Sequence, residues 1–321
     1  MRERAPGWGV NKTMQWRLLL DGPASGAWNM AVDEAILTSH ARGAVAPTLR
    51  FYSWEPACLS LGRLQAWESV PALRSGAEGR PSMSEELNTL EKSCHGGFDV
   101  VRRPTGGRAV WHQHEVTYSA VIRLELLPPG ETSVMSAYRL LSGGLNAGLR
   151  DLGVPVELSR CGTRAANANC FTANAACDSA VDGRKLVGAA QFRHGDALLQ
   201  HGSILTEIDY DAWNAALPGS MDGAVSLAFL GVRLGGDRIA EALAAAFATT
   251  LGVEMVLGGL TPEERELANR LQCFKYGTND WTRNRGLPGR RTEEVSRSGE
   301  PLWDGAAESH PGVCSAVMAE V

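Results

Sequence analysis

Apolar residues form two different patterns along this chain, and the first consists of short runs that predict strands. Brief runs rich in β-branched and aromatic residues, bounded by Gly, Pro or Asp, are typical of strands. Asp182 and Gly183 separate two such runs by the two-residue turn of a β-hairpin. The predicted strands cover residues 16–20, 48–54, 57–62, both sides of a loop at 102–108, and residues 116–124, 155–158, 178–181, 185–193 and 197–205.

In the second pattern, apolar residues recur every three or four positions, which predicts helices. Ser25 and Thr261 each precede such a stretch and favour a helix start, and Pro262 suits the first turn. Gly153 follows another stretch and favours a helix end. The predicted helices cover residues 27–39, 132–152, 209–217, 237–252 and 261–276.

The order of these elements indicates the fold class. Most consecutive strands are joined by hairpins, whereas the helices are clustered along the chain. This arrangement is typical of an α+β fold, so we expect a largely antiparallel sheet with helices packed on one side.

Three polar stretches separate one predicted domain from the chain ends and from an insertion within it. Residues 1–13 are polar with Pro and Gly, and we expect them to be disordered. Residues 75–97 are rich in Gly and Ser and lack a strong period, which predicts a surface insertion. Residues 284–321 are charged and rich in Gly and Pro, which predicts a loose tail. The domain itself is therefore predicted at residues 14–283.

Composition narrows the class of protein. The 321-residue chain is 44% hydrophobic with a net charge of −5, so bulk attraction to nucleic acid is not expected. No run approaches the ~18 apolar residues of a membrane span, and residues 1–13 lack a signal peptide's apolar core. We therefore expect a cytoplasmic protein without membrane or nucleic-acid partners.

The seven cysteines are odd in number and irregularly spaced, which indicates reduced thiols instead of a disulfide framework. No Cys-x-x-Cys pair occurs, and nothing beside the cysteines completes a zinc pattern. We therefore predict no metal site. The cysteines are Cys58, Cys94, Cys161, Cys170, Cys177, Cys273 and Cys314.

The loop at residues 102–108 is the first candidate for a binding site. Gly106 and Gly107 allow the backbone to approach a ligand closely, because no Cβ blocks the way. Flanking arginines add fixed positive charge. The loop suits an acyl chain with a polar or anionic end, and the alternative is a basic hairpin turn. It lacks the pattern of a phosphate-binding Walker loop.

Three segments together resemble a known superfamily. They are RRPTGGRAVWHQHEVTYS from Arg102, CFTANAACDSAVDGRKLVGAAQ from Cys170, and LQHGSIL from Leu199. In this order they resemble the lipoate/biotin protein ligases and octanoyltransferases, in particular the LipM-type octanoyltransferases. The similarity runs from about residue 16 to residue 283. The resemblance implies a central mixed sheet with flanking helices, in agreement with the α+β interpretation.

The resemblance also implies site residues. Cys170 stands where LipM-type enzymes have their nucleophile, and Lys185 matches the lysine that faces the acyl carbonyl. The implied substrate-binding residues are Arg103, Gly106, Gly107, His112, Gln191, His201, Gly202 and Ser203, with Gln200 in the same strand segment. The chain departs from the family pattern at Asn169, at Gln113 and in segment 172–177, where aromatic residues are missing.

The implied reaction moves an octanoyl group from the thioester of acyl carrier protein to the lysine of a lipoyl domain, such as that of the glycine-cleavage H protein. A cysteine suits this reaction because its acyl-enzyme is itself a thioester. A nearby ammonium at Lys185 favours the thiolate and the developing oxyanion, and neutral Lys185 can take a proton from the amine. No cofactor is implied.

Three other functions remain open. A lipoate–protein ligase would activate free lipoate with ATP and needs no cysteine. An amidotransferase would move octanoyl or lipoyl groups between lipoyl domains and would use the same cysteine. A non-catalytic binding protein that keeps the fold is the alternative from another class.

Several residues carry two interpretations. Cys161 and Cys177 are rivals of Cys170 as the nucleophile. His112 and His201 are either general bases or structural residues that line the pocket, and we favour the second interpretation.

Charged residues carry two interpretations as well. Asp33 and Glu34 lie in the helix at 27–39, and we interpret them as solvated rather than catalytic. A set of arginines forms either a basic rim that steers acidic carrier and lipoyl domains or an ordinary solvated surface. They are Arg102, Arg103, Arg108, Arg184 and Arg193.

Overall fold

The structure is a computed structural model that describes residues 13–73, 98–159, 170–172, 178–219, 221 and 223–286. Residues 1–12, the predicted insertion at 75–97 and tail residues 287–321 lie outside the described residues. So do residues 160–169 and 173–177. The predictions made for these segments, and the predicted domain boundaries at residues 14 and 283, are therefore not tested by the structure.

Most of the described strands form one large mixed sheet. They are β1 (Gln15–Ala24), β2 (Thr48–Trp54), β6 (Glu115–Arg123), β7 (Glu157–Leu158), β8 (Ser179–Val181), β9 (Arg184–His194), β10 (Ala197–Leu205) and β11 (Glu254–Leu257). Their order is β11-β1-β2-β6-β10-β9-β8-β7. The first three are mutually parallel, and every later pair is antiparallel.

A small second sheet holds the Gly-rich loop. Its strands are β3 (Cys58–Leu61), β4 (Asp99–Arg102) and β5 (Val110–His112), in the order β4-β3-β5. Strand β4 runs parallel to β3, whereas β5 runs antiparallel to it. Residues 103–109 therefore connect the two outer strands of this sheet.

Helices cover both faces of the large sheet, so the prediction of helices on one side is wrong. The described helices are α1 (Gly26–Ala41), α2 (Val134–Asp151), α3 (Tyr210–Ala216), α4 (Gly236–Leu251), α5 (Pro262–Leu271) and α6 (Asn279–Thr282). Phe51 packs with α2 and α4, while its neighbour Tyr52 packs with α1 and α5. Strand residues alternate between faces, and here both faces are apolar. None of the described helices is long and apolar enough to cross a bilayer.

Local sequence features are confirmed at several element ends. Ser25 caps α1 by accepting a hydrogen bond from the Trp28 N–H. Thr261 and Glu264 form a reciprocal capping box at α5. In the β8–β9 hairpin, Asp182 and Gly183 have φ angles of 49° and 75°, as its two-residue turn requires.

Three elements differ from the predictions. Strand β1 continues through Asp21, Gly22 and Pro23 with a change of register, although these residues predicted its end. Helix α5 ends at Leu271 and passes into a π-helical turn at Gln272–Tyr276. The sequence pattern missed β11, because this edge strand is short and mostly exposed, and its partner β1 is far away in sequence.

Helices α2 and α4 pack closely because two glycines of α2 face α4. A Cβ added at Gly144 would lie 2.7 Å from Cδ2 of Phe247, and one at Gly148 would lie 2.8 Å from Cα of Leu243. Gly143 in the same helix has nothing within 4 Å of an added Cβ. The helix pair therefore depends on particular glycines rather than on all of them.

We expect Gly148→Ala to destabilise the protein by about 1–3 kcal/mol, because the added methyl group overpacks the contact with α4. Gly143→Ala is the matched control, and it should stabilise the protein by about 0.5–1 kcal/mol, the ordinary helix-propensity gain. Urea unfolding measures both changes. Equal effects of the two substitutions would contradict the packing described here.

Candidate active site

A pocket opens between β9, β10 and the Gly-rich loop that joins β4 to β5. It encloses about 400 Å³, part of it open to solvent. Seven of the ten predicted site residues line it, together with the apolar side chains of Met30, Trp54 and Val110. The seven are Arg103, Gly107, His112, Cys170, His201, Gly202 and Ser203.

Lys185 lies beside the pocket and contacts its cysteine. Its Nζ is 3.7 Å from Sγ of Cys170 and 3.4 Å from the Cys170 carbonyl oxygen. The same Nζ donates a 2.6 Å hydrogen bond to Oδ2 of Asp178, and both side chains of this ion pair are buried. A thiol, an amine and a carboxylate therefore meet at one edge of the pocket.

The backbone around Cys170 holds the thiol at this position. The Cys170 N–H donates to the carbonyl of Ala109, 2.9 Å away, at the end of the Gly-rich loop. The next residue, Phe171, is buried over Gly188 of β9, where an added Cβ would lie 3.1 Å from the ring. Phe171 also meets Trp213 of α3 edge-to-face at 5.5 Å. The short helical turn Cys170–Thr172 thus rests on the sheet beside Lys185.

Electrostatics fix the charge of Lys185. Burial lowers the pKa of its amine, but the Coulombic and hydrogen-bonding interactions with Cys170 and Asp178 outweigh burial and raise that pKa above its ordinary value. Lys185 is therefore an ammonium at neutral pH. Tyr138 of α2 donates to Oδ1 of Asp178 at 3.0 Å, and burial beside this carboxylate raises the pKa of Tyr138.

Arg103 holds the Gly-rich loop from inside. One terminal nitrogen donates to the carbonyl oxygens of Gly106 and Arg108, at 3.0 and 2.9 Å. The other donates to the carbonyl and hydroxyl oxygens of Ser60, at 3.1 and 2.6 Å. Its guanidinium lines the pocket, yet its terminal nitrogens are engaged with the protein itself. Arg103 therefore shapes the site more than it offers free donors to a ligand.

One buried carboxylate–imidazole pair supports Arg103 through Ser60. Nδ1 of His112 lies 2.7 Å from Glu115, and Nε2 lies 2.6 Å from the Ser60 hydroxyl. With Nδ1–H donating to Glu115, Nε2 accepts from Ser60. The ring of His112 also stacks on Trp54, with centroids 3.9 Å apart. Both ring nitrogens of His112 are therefore engaged within the protein.

A second pair supports the loop through Thr105. Nδ1 of His201 lies 3.1 Å from Asp33, and Nε2 lies 2.7 Å from the Thr105 hydroxyl. Burial lowers the pKa of His201, so the ring is neutral. Asp33 also pairs with Arg50 at 2.9 Å and is fully buried, so its interpretation as a solvated helix residue is wrong. Its position three residues from Met30, on the apolar stripe of α1, was the missed signal.

The structure does not bring Gln191 to the pocket. Gln191 pairs with Gln200 across β9 and β10 and contacts it at 2.8 Å, whereas the neighbouring pair of Ala190 and His201 lines the pocket. Gly106 is exposed near the pocket but does not line it. Cys161 and Cys177, the rival nucleophiles, lie outside the described residues.

The arginines of the predicted basic rim divide into two groups. Arg102 and Arg103 are buried, so they do not form a surface rim. Arg108, Arg184 and Arg193 are partly exposed. Among the described residues, no group of three or more His, Cys, Asp or Glu side chains is placed to hold a metal ion.

Comparison with known proteins gives the family. Residues 25–248 match the lipoyl protein ligase A/B catalytic domain. The chain belongs to this family. An octanoyltransferase LipM of Kyrpidia tusciae is 41% identical over 286 residues, which cover 83% of this chain and 97% of that relative. The octanoyltransferase LipM of Symbiobacterium thermophilum is 39% identical with the same coverage. The resemblance inferred from the three sequence segments is confirmed.

Solved structures show the same fold. A lipoate-protein ligase A bound with ATP matches with a TM-score of 0.65 and 25% identity, over 84% of this chain and 99% of that one. A bipartite lipoate protein ligase from Thermoplasma acidophilum matches with a TM-score of 0.62 and 24% identity, over 88% of this chain and all of the other. The α+β fold with a central mixed sheet is confirmed.

We expect Asp178→Ala to lower the free energy of unfolding by roughly 3–5 kcal/mol, because it leaves the Lys185 ammonium buried without its carboxylate. Adding Lys185→Met should recover much of this loss, since no buried charge then remains. Urea unfolding of the single and double variants measures the coupling. Losses that simply add would show that the two side chains do not depend on each other.

Proposed function

We propose that this protein is an octanoyltransferase of protein lipoylation. It takes an octanoyl group from the thioester of acyl carrier protein and transfers it to the lysine of a lipoyl domain, such as that of the glycine-cleavage H protein. The observation that carries the proposal is the 3.7 Å contact between Nζ of Lys185 and Sγ of Cys170 at the edge of the pocket. The curated relatives named octanoyltransferase LipM support the same reaction.

In the first half-reaction, the Cys170 thiolate attacks the carbonyl carbon of the donor thioester. A new C–S bond forms to Cys170, and the bond to the donor sulfur breaks. The Lys185 ammonium stabilises the charge on the carbonyl oxygen and gives its proton to the departing donor thiolate. Acylation removes the thiolate charge that helps to raise the pKa of Lys185, which favours this proton transfer.

In the second half-reaction, the acceptor amine attacks the carbonyl carbon of the acyl-enzyme. A C–N bond forms, the C–S bond to Cys170 breaks, and Cys170 leaves as a thiolate. Neutral Lys185 takes the proton that the amine releases, so it returns to the ammonium form. The cycle converts a thioester and an amine into an amide and a thiol, with every proton accounted for.

The pocket supplies the apolar part of the site. Met30, Trp54 and Val110 line it, and the small residues Ala189 and Ala190 leave room along β9. Small residues at these positions suit an extended aliphatic chain, whose burial contributes about 0.8 kcal/mol per methylene group. The thioester end then lies toward Cys170.

An ATP-dependent lipoate–protein ligase is the second candidate, because a ligase solved with ATP shares the fold. That reaction needs Lys185 and the Gly-rich loop but no cysteine beside the amine. An amidotransferase would use the same cysteine with an acylated lipoyl domain as its donor. The donor and the requirement for ATP therefore separate the three reactions.

We expect intact-mass spectrometry to show one added octanoyl group after the protein is mixed with octanoyl-acyl carrier protein without ATP. Cys170→Ser should abolish the thioester adduct, because it removes the sulfur that forms it. Cys273→Ser is the matched control, since Cys273 is exposed on the π-helical turn, and it should keep the adduct.

Hydroxylamine treatment at neutral pH should release the group, as it does for thioesters. A hydroxylamine-labile adduct that survives in Cys170→Ser would contradict the proposed nucleophile, because a serine oxyester resists neutral hydroxylamine. Acyl transfer that requires ATP and free octanoate would favour the ligase instead.

A further inference from the structure

Two neighbouring arginines are buried next to the pocket without a carboxylate. Arg102 and Arg103 are 0% and 5% exposed, and neither forms an ion pair with any described carboxylate. Arg102 donates instead to five carbonyl oxygens, and its Nη2 has no hydrogen-bond partner among the residues that the structure describes. Buried charges are normally paired with an opposite charge. Here the carboxylate that acts on Arg102, Glu68, does so less strongly than burial and the neighbouring arginines. The buried pair is therefore a local excess of positive charge, although the whole chain carries −5.

Three more arginines lie nearer the surface, and we call Arg63, Arg283 and Arg285 the outer arginine cluster. Arg63 and Arg285 act electrostatically on Arg102. The guanidinium of Arg63 lies over the ring of Trp281 at 4.9 Å, and that of Arg283 lies 5.8 Å from the Trp67 ring. Nη1 of Arg285 donates to the carbonyl of Leu64 at 3.1 Å.

The cluster and the buried pair act on each other electrostatically. Burial lowers the pKa of Arg102 to about 10, and the charges of Arg285, Arg103 and Arg63 contribute to this shift. Arg102 is still charged at neutral pH. An anion bound at the outer arginine cluster would relieve the mutual repulsion of these guanidinium groups, which is a physical reason for such an anion to bind.

Backbone contacts connect the cluster to the pocket. The Arg63 N–H donates to the carbonyl of Thr105 in the Gly-rich loop at 2.8 Å. Gly62 packs so closely on that loop that an added Cβ would lie 2.0 Å from the carbonyl oxygen of Gly107. Gly107 in turn lines the pocket together with Cys170. The outer arginine cluster therefore borders the Gly-rich edge of the pocket.

We propose that the outer arginine cluster binds the phosphate group of the acyl donor's pantetheine arm. This inference rests on the proposed function, in which the donor is a carrier-protein thioester, because carrier proteins hold their acyl groups on a phosphopantetheine arm. One arm joins the phosphate to the thioester. The phosphate at the cluster and the thioester at Cys170 would then fix the donor at both ends.

The test compares two free donors that differ by one phosphate, octanoyl-pantetheine and octanoyl-4′-phosphopantetheine. The measured quantity is the ratio of their rates of Cys170 acylation at subsaturating donor. We expect the wild type to favour the phosphorylated donor by roughly tenfold, the effect of a charge-assisted contact of about 1.4 kcal/mol. The ratio should fall toward one in the double variant Arg63→Gln/Arg285→Gln.

Arg42→Gln is the matched control, because Arg42 is an exposed arginine at the C-terminal end of α1. This variant should keep the wild-type ratio. Each ratio is taken within one protein, so a partial loss of folded enzyme cancels. Higher salt should also lower the wild-type ratio, since it screens exposed charges.

Equal use of the two donors by the wild type would overturn the inference while leaving the proposed function intact. So would a double variant that keeps the preference. If that variant slows transfer only from intact octanoyl-acyl carrier protein, the cluster binds acidic side chains of the carrier and the phosphate assignment is wrong. If neither free donor nor the carrier protein acylates Cys170, the proposed function fails and the inference falls with it.

Discussion

A buried ammonium held between a carboxylate and a thiol is the interaction on which the proposed chemistry depends. Lys185 lies 2.6 Å from Asp178 and 3.7 Å from Cys170, so its charge is positioned to serve both the stability of the fold and, in the proposed mechanism, the reactivity of the sulfur. Because Asp178 is bound by Tyr138, helix α2 takes part in positioning the amine. In the proposed mechanism, acylation of the Cys170 thiolate removes a negative charge beside Lys185, so that one residue can give a proton and later recover it.

The opposite wall of the pocket is organised by Arg103. Two carboxylate–imidazole pairs reach it through the hydroxyl groups of Ser60 and Thr105, the second through a longer 3.4 Å contact, and Arg103 in turn holds the carbonyl groups of the Gly-rich loop. The two histidines are therefore engaged on both ring nitrogens. Lys185, with its Nζ 3.7 Å from the Cys170 sulfur, is therefore the group that the proposed mechanism uses to exchange protons.

The sequence was most informative where the structure is local. The caps at Ser25 and Thr261 and the turn at Asp182 follow from neighbouring residues, and so they could be predicted. Contacts between distant segments could not: Asp178 is an ordinary carboxylate in the sequence and becomes part of the site only when β8 pairs with β9 beside Lys185. Asp33 was misread for the same reason, because its partners come from other strands. The Cys170–Lys185 pair was found through the family resemblance, and composition alone would not have selected it.

The central claim is that an acyl group on Cys170 passes to an acceptor amine with the help of Lys185. The most direct measurement isolates the octanoyl-enzyme, removes all donor, and follows transfer to a lipoyl domain by mass spectrometry. The account predicts that the octanoyl group leaves the enzyme and appears on the acceptor lysine, and that Lys185→Met prepared with the same adduct transfers it far more slowly. An adduct that stays on the wild-type enzyme, or that both proteins transfer equally fast, would contradict it.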